Sequence, residues 1–473
     1  MQNSKVIQLI SSLQPKEIKG LEQYLAKHIT PKEALVNALF VVIKSWIVTN
    51  DNTLIIKEVV LNKLHLSDDE GDKKFRYACT YLAQYVEQYL IQIHLQNNPI
   101  TSNELLLKEL QVRNAKKQFD TIIIDEFEKN KLNEPNFLNY YEKEFQLSEL
   151  RYKALQPNEL RGEKNNLQHL VEYLDLFYIT RKLYYTCELL NNNNSYTFQY
   201  KANWLAELQV MIAQTKDKTP ILDTYNTVLL TLLYPEDESH FLALQSKIEK
   251  LYPTLHPARF KELNTYLRNY IVRKINTGFN QYNNLLFENN IMMLQRKLFL
   301  LDQYFDEFAF KNIVVIALRV GQVQWAETFI LQHQNQLNPL NKDNALTYNT
   351  AYLLFHKKEY HKGLQLLNQV SFTDAYYHLD SKSLLLKLYY ELDETAPFFS
   401  LIEAFKVYLK RNKKINENQL LFYSNFIVFC TKLYKIKLQY PHKTEKLENE
   451  LKTAIGVADK QWIITKLIEI KSK

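Results

Sequence analysis

The chain has 473 residues, of which 46% are hydrophobic and 23% charged, and its formal net charge is +7. It contains only 7 glycines, whereas average usage would give roughly 33 in a chain of this length. Because phosphate-binding loops and tight β-turns depend on glycine, this scarcity argues against nucleotide-binding α/β folds and β-rich folds and favours an all-α protein.

The cysteines and the hydrophobic stretches point to a reducing compartment. Cys79, Cys187 and Cys430 lie far apart and form no CxxC motif, which is typical of buried apolar cysteines. The N-terminal sequence lacks signal-peptide features, and no apolar stretch approaches the roughly 18 to 20 residues that span a bilayer. We therefore expect a cytoplasmic protein that does not enter a membrane.

Residues 1–97 carry the helix signals of an N-terminal helical domain. Thr30, Pro31 and Glu33 provide an N-cap, a first-turn proline and a capping-box acid. After the polar segment 67–71, which we expect to be a loop, apolar residues at intervals of three and four predict a long helix. They are Phe75, Cys79, Leu82, Val86, Leu90 and Ile93.

A middle helical segment is predicted over residues 98–195. The apolar face formed by Phe119, Ile123 and Phe127 indicates a helix in this segment. The asparagine tract 191–194 predicts an exposed loop at its end. Beyond that tract, helix pairs of roughly repeat length predict a helical-repeat domain over the remaining chain, residues 196–473.

Two stretches within residues 311–411 repeat one another at an interval of 37 residues. The first holds Ala317, Gly321, Val323, Ala326 and Ile330, and the second holds Leu354, Lys358, Tyr360, Gly363 and Leu367 at the same offsets. Small residues at Ala326 and Gly363 let two antiparallel helices approach closely. A degenerate third repeat follows, in which Phe398 replaces the small residue.

These residues resemble the tetratricopeptide-like superfamily over about residues 311–411. The resemblance implies stacked helix hairpins that form an α-solenoid and bind a peptide or partner protein in a groove. The expected early aromatic residue and Leu-Gly pair of the first helix are replaced, with Thr347, Thr350 and Ala351 in the second repeat. The whole chain is also similar to uncharacterised soluble bacterial helical-repeat proteins, and this wider resemblance implies no function.

Two groups of side chains could be taken for metal or catalytic sites. His356, His361 and His378 with Asp380 lack the i and i+4 spacing of a helical zinc site, so we expect solvent-exposed histidines. The second group lies around an apolar helix face, and we expect its acids to cover the opposite, solvated face rather than to hold a nuclease metal. It consists of Asp120, Asp125, Glu126, Glu128 and Lys129.

Positive charge is concentrated at the C-terminal end. Residues 400–473 hold 15 Lys and Arg against 7 Asp and Glu. Part of this pattern is typical of solvated faces and helix C-termini, and the functional alternative is a surface that binds an acidic partner. The candidate residues are Lys406, Lys410, Arg411, Lys413, Lys414, Lys432, Lys435 and Lys437.

The N-terminal domain offers a second functional hypothesis. A helix that begins near Gly71 would present Lys73, Lys74 and Arg76 in its first turns, as the recognition helix of a helix-turn-helix does. The preceding acids would oppose the approach of phosphates. A nucleic-acid-associated regulator is therefore the alternative function.

Taken together, the sequence predicts an all-α protein with an N-terminal helical domain followed by an α-solenoid of degenerate tetratricopeptide-like hairpins. We expect a noncatalytic scaffold or adaptor that binds a peptide or another protein, and the basic C-terminal residues favour an acidic partner. No glycine-rich phosphate loop, HExxH or GxSxG motif is present, and we expect no enzyme activity, metal or cofactor.

Overall fold

The computed structural model describes residues 4–49, 51–66, 69–132, 138–155, 165–195, 200–216, 218–301, 304–368, 375–412, 415, 417–439 and 444–472. Within these ranges the chain forms 23 α-helices and a single short β-hairpin. The prediction of an all-α protein is confirmed. None of the helices in this part of the chain has the length and apolar character needed to cross a membrane.

The chain divides into two compact units. The first comprises residues 1–132 and 143–172, and the second comprises residues 133–142 and 173–473. The helices that begin in the first 132 residues are α1 (Lys5–Ser11), α2 (Pro15–His28), α3 (Ala34–Thr49), α4 (Lys57–Lys63), α5 (Asp69–Asn97), α6 (Pro99–Val112) and α7 (Lys116–Leu132).

Helix α5 is the centre of the first unit. It contacts α1, α2, α3 and α4, and its residues Phe75, Leu82 and Val86 are buried in the shared core. The helix begins at Asp69, so the expectation of a loop up to residue 71 was wrong for its last three residues; residues 67–68 lie outside the described ranges. Asp69, Glu70 and Asp72 all fall in the first turn, where the helix dipole stabilises negative charge.

A second, smaller core of the first unit involves helix α8 (Tyr140–Lys153). Leu147 and Leu150 of this helix pack with Leu107 of α6 and with Phe119 and Ile123 of α7. The apolar face predicted around Phe119 is therefore a packing face.

The second unit contains a continuous series of helices. They are α9 (Leu167–Ser195), of which the part from residue 173 belongs here, α10 (Leu205–Gln214), α11 (Pro220–Leu233), α12 (Glu238–Leu251), α13 (Pro257–Asn276), α14 (Tyr282–Gln295), α15 (Glu307–Arg319), α16 (Val323–His333), α17 (Lys342–His356), α18 (Tyr360–Leu367), α19 (Ala375–Glu391), α20 (Thr395–Arg411), α21 (Glu417–Gln439), α22 (Thr444–Thr453) and α23 (Lys460–Lys471). Strands β1 (Leu300–Leu301) and β2 (Tyr304–Phe305) pair antiparallel between α14 and α15, with Leu300 opposite Phe305.

The asparagine tract is helical, so the loop predicted at residues 191–194 was wrong. Helix α9 continues through it to Ser195. Asn191 is buried and accepts a hydrogen bond at 2.9 Å from the side-chain amide of Asn269. This tertiary bond satisfies a side chain that would otherwise favour a turn, and the context overrides the weak helix propensity of asparagine.

Three helix hairpins fill the region of the sequence repeat: α15 with α16, α17 with α18, and α19 with α20. Two residues beyond the end of each first helix, the backbone is left-handed, at Gly321 (φ +79°), Lys358 (φ +61°) and Asp393 (φ +58°). The next backbone N–H then bonds back to a carbonyl five residues earlier, as in a Schellman motif. These bonds are Gln322 to Ala317 at 2.9 Å, Glu359 to Leu354 at 2.9 Å and Glu394 to Tyr389 at 3.0 Å.

The first helices of successive hairpins also contact each other. Helix α15 contacts α17, α17 contacts α19, and α19 contacts α21. The core beneath them continues from Leu138 to Leu388, and a second core extends from Leu379 to Leu467. This packing places one face of each first helix along a shared groove.

Candidate functional site

A groove of about 1710 Å³ lies along the first helices of the hairpins. Its lining comes mainly from α15, α17, α19 and α21, from residues 275–284 around the turn between α13 and α14, and from residues 452–466 at the C-terminal end. We call this site the inner groove. Its lining combines aromatic rings with charged groups, including Tyr352, Tyr423, Lys311, Asp380 and Lys387.

The segment between α22 and α23 enters the inner groove. We call residues 454–459 the C-terminal loop. The backbone N–H of Ala458 donates to the carbonyl of Phe422 at 3.1 Å. The side-chain amide of Asn425 donates to the carbonyls of Ile455 at 3.2 Å and Gly456 at 3.0 Å. These bonds fix the loop against α21 through backbone groups.

Gly456 explains how closely the loop approaches that helix. Its φ of +68° is a conformation that favours glycine. A Cβ atom added to Gly456 would lie 2.7 Å from Cε1 of Phe422. Both the backbone conformation and the contact therefore require a residue without a side chain at this position.

Asp459, the last residue of the loop, is held between two cations from different helices. Its Oδ2 lies 2.6 Å from Nζ of Lys387 on α19, and its Oδ1 lies 3.1 Å from Nη2 of Arg319 on α15. We call these three residues the Asp459 cluster. The Lys387 residue is 2% exposed, so Asp459 is the counter-charge of a buried ammonium group.

The two cations determine the ionisation of Asp459. Burial alone would raise its pKa, but the positive charges of Lys387 and Arg319 hold the pKa well below the usual range of a carboxyl group. Burial likewise disfavours the charged form of Lys387, yet the Asp459 carboxylate raises the pKa of this lysine above its ordinary value. All three members of the Asp459 cluster are therefore charged at neutral pH.

Two further charged contacts line the same groove. Asp380 of α19 pairs with Lys311 of α15 and accepts a hydrogen bond from the Tyr423 hydroxyl of α21. Lys466 of α23 lies 2.8 Å from Glu391 of α19, with both side chains only about a tenth exposed. Side chains from these four helices therefore satisfy each other's charges across the inner groove.

His356 corrects one expectation from the sequence. The prediction of solvent-exposed histidines holds for His361, but His356 is partly buried in the inner groove, and burial together with the nearby Lys387 charge lowers its pKa to about 4. His378 is also partly buried, and its ring stacks on Tyr408 at 4.2 Å between centroids. Among the described residues, no group of three or more candidate ligands could hold a metal ion.

The repeat-packing residues predicted from the sequence lie mostly inside the hairpins. Ala317, Ala326, Ile330, Gly363 and Leu367 are buried, whereas Leu354 and Tyr360 are partly buried and Gly321 lies in a turn. A Cβ atom on Gly363 would lie 3.4 Å from the Ala351 carbonyl oxygen. A small residue here thus permits α18 to approach α17 closely.

Several of the basic residues predicted to bind an acidic partner are paired within the chain. Lys406 pairs with Glu403 at 2.7 Å, Lys432 with Glu450 at 2.5 Å, and Lys437 with Asp393 at 2.5 Å. Lys410, Arg411 and Lys435 are exposed, while Lys413 and Lys414 lie outside the described residues.

One residue of the acidic group on α7 is buried, although all of these acids were expected on a solvated face. Glu126 is 1% exposed, so the prediction that all these acids cover a solvated face was wrong. Its Oε1 accepts a hydrogen bond from the Asn103 amide at 2.8 Å, and its Oε2 lies 3.5 Å from Nζ of Lys143. The carboxylate therefore joins α6, α7 and α8 within the first unit as a structural contact.

Two of the basic residues at the start of α5, Lys74 and Arg76, pair with acids on the same helix. Lys74 lies 3.0 Å from Glu70, and Arg76 lies 3.2 Å from Asp72. These i,i+4 pairs reduce the positive charge that this turn could offer to a phosphate backbone.

The Asp459 cluster was not identified from the sequence. Its members are separated by up to 140 residues, and no local motif links them. One usable signal was Lys387 itself, because it interrupts the apolar run 384–388 on a predicted buried face.

Comparisons with protein-family models, curated proteins and solved structures returned no match.

Proposed function

We propose that the chain is a noncatalytic scaffold whose second unit is a tetratricopeptide-like α-solenoid and binds an acidic peptide segment of a partner protein in the inner groove. The observation that carries this proposal is the seating of Asp459 between Lys387 and Arg319. The C-terminal loop occupies part of the groove in an irregular conformation, as an acidic peptide ligand would. The contacts of its Asp459 carboxylate with Lys387 and Arg319 support a groove that accepts a carboxylate group.

Charge complementarity favours an acidic ligand. Lys387 is almost fully buried, and a buried ammonium group without a counter-charge is strongly unfavourable. Any segment that replaces the C-terminal loop must therefore bring a carboxylate to the same position. Arg319 adds specificity, because a guanidinium group and an ammonium group together fix the two oxygens of one carboxylate.

To bind in the inner groove, a partner peptide would then have to displace the C-terminal loop. The C-terminal loop contributes Asp459 to the groove, so a partner peptide competes with an intramolecular ligand. Such a ligand has a high effective concentration, which lowers the apparent affinity of the partner. The remaining groove volume of about 1710 Å³ leaves room for flanking residues of the partner to contact aromatic rings such as Tyr352 and Tyr360.

Selection of peptides from a random nine-residue library against the full chain tests this proposal. We expect the selected peptides to share an Asp or Glu at a fixed position, and we expect Arg319→Gln to weaken their binding by about tenfold or more. The matched control is Arg151→Gln, which removes an exposed arginine of α8 from outside the inner groove. Selected peptides without a shared acid, or equal binding by both variants, would contradict the proposal.

The nucleic-acid alternative receives less support from the charges of α5. Lys74 and Arg76 each pair with an acid one turn earlier. An electrophoretic shift assay with duplex DNA separates the two functions, since nucleic-acid binding weakens steeply with salt. We expect no shift at low salt; a shift that disappears as salt is raised would favour the alternative.

A further inference from the structure

A second cavity, of about 590 Å³, lies between α19 and α20. Its polar lining consists of His378, Lys382, Tyr408, Arg411 and Asn412. No carboxylate lines this cavity among the residues that the structure describes. We call it the basic pocket.

The basic pocket is distinct from the inner groove. On α19, Asp380, Ser383 and Lys387 line the inner groove. At about 100° per residue, His378 and Lys382 lie on the opposite side of the same helix. A ligand of the basic pocket would therefore not contact the Asp459 cluster.

Lys382 is the informative member of the pocket. It is partly buried, and it pairs with no carboxylate among the described residues. Nζ lies 5.9 Å from the centre of the Tyr408 ring, a cation–π distance. Because burial is not offset by a counter-charge, the pKa of Lys382 is lowered. An anion bound in the pocket would supply the missing counter-charge and offset the desolvation of the Lys382 ammonium group.

Tyr408 organises the groups around Lys382. The His378 ring stacks on it at 4.2 Å between centroids, and the Asn412 amide donates to its hydroxyl at 2.9 Å. Arg411 is exposed at the rim, at the end of α20. The pocket thus combines an ammonium and a guanidinium group around a fixed aromatic ring.

We propose that the basic pocket binds a phosphate group, either as free phosphate or as a phosphate monoester. Lys382 and Arg411 supply two formal positive charges, which match a phosphate monoester of charge about −1.5 to −2 better than a single carboxylate. Arginine and lysine are the usual partners of phosphate oxygens. The start of α19 and the end of α20 lie at the same end of this hairpin, so their helix dipoles offset one another.

Isothermal titration of the full chain tests this assignment with three probes: inorganic phosphate, N-acetyl-phosphoserine amide and acetate. We expect both phosphate probes to bind and acetate to bind at least about tenfold more weakly. Tighter binding of the phosphoserine probe identifies a phosphorylated ligand, and equal binding identifies free phosphate. Failure of both phosphate probes to bind, or acetate binding as tight as phosphate, overturns the proposal.

Single substitutions test whether phosphate binds in the basic pocket. Lys382→Gln and Arg411→Gln should each weaken phosphate binding by about tenfold. Lys410→Gln is the matched control, since Lys410 is an exposed neighbour outside the pocket. Circular dichroism and the unfolding midpoint show whether each variant is folded. Equal losses in all three folded variants would mean diffuse charge attraction and would overturn the site, as would unchanged binding in Lys382→Gln.

Discussion

At the scale of single residues, the ion pair between Lys387 and Asp459 fixes the C-terminal loop. Their charged atoms lie 2.6 Å apart, and the lysine side chain is only 3% exposed. The desolvation of Lys387 is compensated mainly by Asp459, and the rings of Tyr352 and Phe355 add cation–π contacts at 5.1 Å and 5.4 Å from its Nζ. A buried pair of this kind is costly to break from one side, because the remaining charge has no partner.

Asp459→Asn should lower the free energy of unfolding by about 3 kcal/mol, since it leaves Lys387 buried without a counter-charge. Urea denaturation followed by tryptophan fluorescence measures the change. Asp175→Asn, at an exposed acid in the interior of α9, is the control and should change stability by less than about 0.5 kcal/mol. If the double variant Lys387→Met/Asp459→Asn loses as much as the sum of the single variants, the pair is not coupled.

His356 should make stability depend on pH. Its folded-state pKa of about 4 lies below the ordinary value of about 6.5. Between these values the unfolded chain takes up a proton at this position and the folded chain does not, so stability falls as pH falls from about 6.5 to about 4. Asp459 acts in a lower window, because its depressed pKa makes its contribution fade only below about pH 4.

The unfolding midpoint in urea, measured from pH 7 to pH 4, tests the role of His356. The wild-type midpoint should fall over this interval, and His356→Gln should fall less steeply. His361→Gln, at an exposed histidine, should keep the wild-type slope. Parallel slopes for all three proteins would rule out proton uptake at His356 as a cause.

At the scale of helices and turns, the repeat appears as a recurring backbone conformation. Gly321 and Lys358 occupy the same turn of two hairpins, with φ of +79° and +61°. A left-handed conformation costs a residue with a side chain roughly 1 to 2 kcal/mol. Lys358→Gly should therefore raise the free energy of unfolding by about 1 kcal/mol, and Gly321→Ala should lower it by a similar amount. Urea denaturation should show opposite shifts; shifts of the same sign would refute the equivalence of the two turns.

Gly456 should control the docking of the C-terminal loop. Gly456→Ala places a Cβ atom 2.7 Å from the Phe422 ring, so we expect the loop to leave α21. Amide hydrogen exchange at Ala458, whose N–H bonds to Phe422, should accelerate about tenfold or more. Gly278→Ala is the control, because Gly278 also has positive φ but no atom within 4 Å of an added Cβ. Equal acceleration in both variants would mean that the contact with Phe422 is unimportant.

The sequence predicted the helices better than the site. The reason is that helices depend on residues close together in the chain, whereas the site depends on residues far apart. Helical periodicity is local, so the all-α fold follows from nearby residues, and the 37-residue repeat aligns Gly321 with Lys358, although their left-handed turns were seen only in the structure. Asn191 was misassigned because its stabilising partner, Asn269, lies far away in the chain. Arg319, Lys387 and Asp459 likewise meet only after the hairpins pack, and no spacing in the sequence records that contact.

At the scale of the second unit, the inner groove combines an acidic ligand from its own chain with open volume beside it. Because a partner must displace this ligand, the affinity for the partner should fall as the C-terminal loop docks more strongly. A variant that weakens docking without removing Lys387 or Arg319 should therefore bind acidic peptides more tightly than the wild type does.

The most direct test is a fluorescence anisotropy titration with a labelled peptide of residues 454–462. The account predicts that the full-length Asp459→Asn variant binds this peptide at least about tenfold more tightly than the wild type, because its own loop has lost the carboxylate. The same peptide with asparagine in place of its aspartate should bind neither protein. If the variant and the wild type fail to bind the acidic peptide, or if both peptides bind the variant equally, the inner groove is not a site for acidic segments.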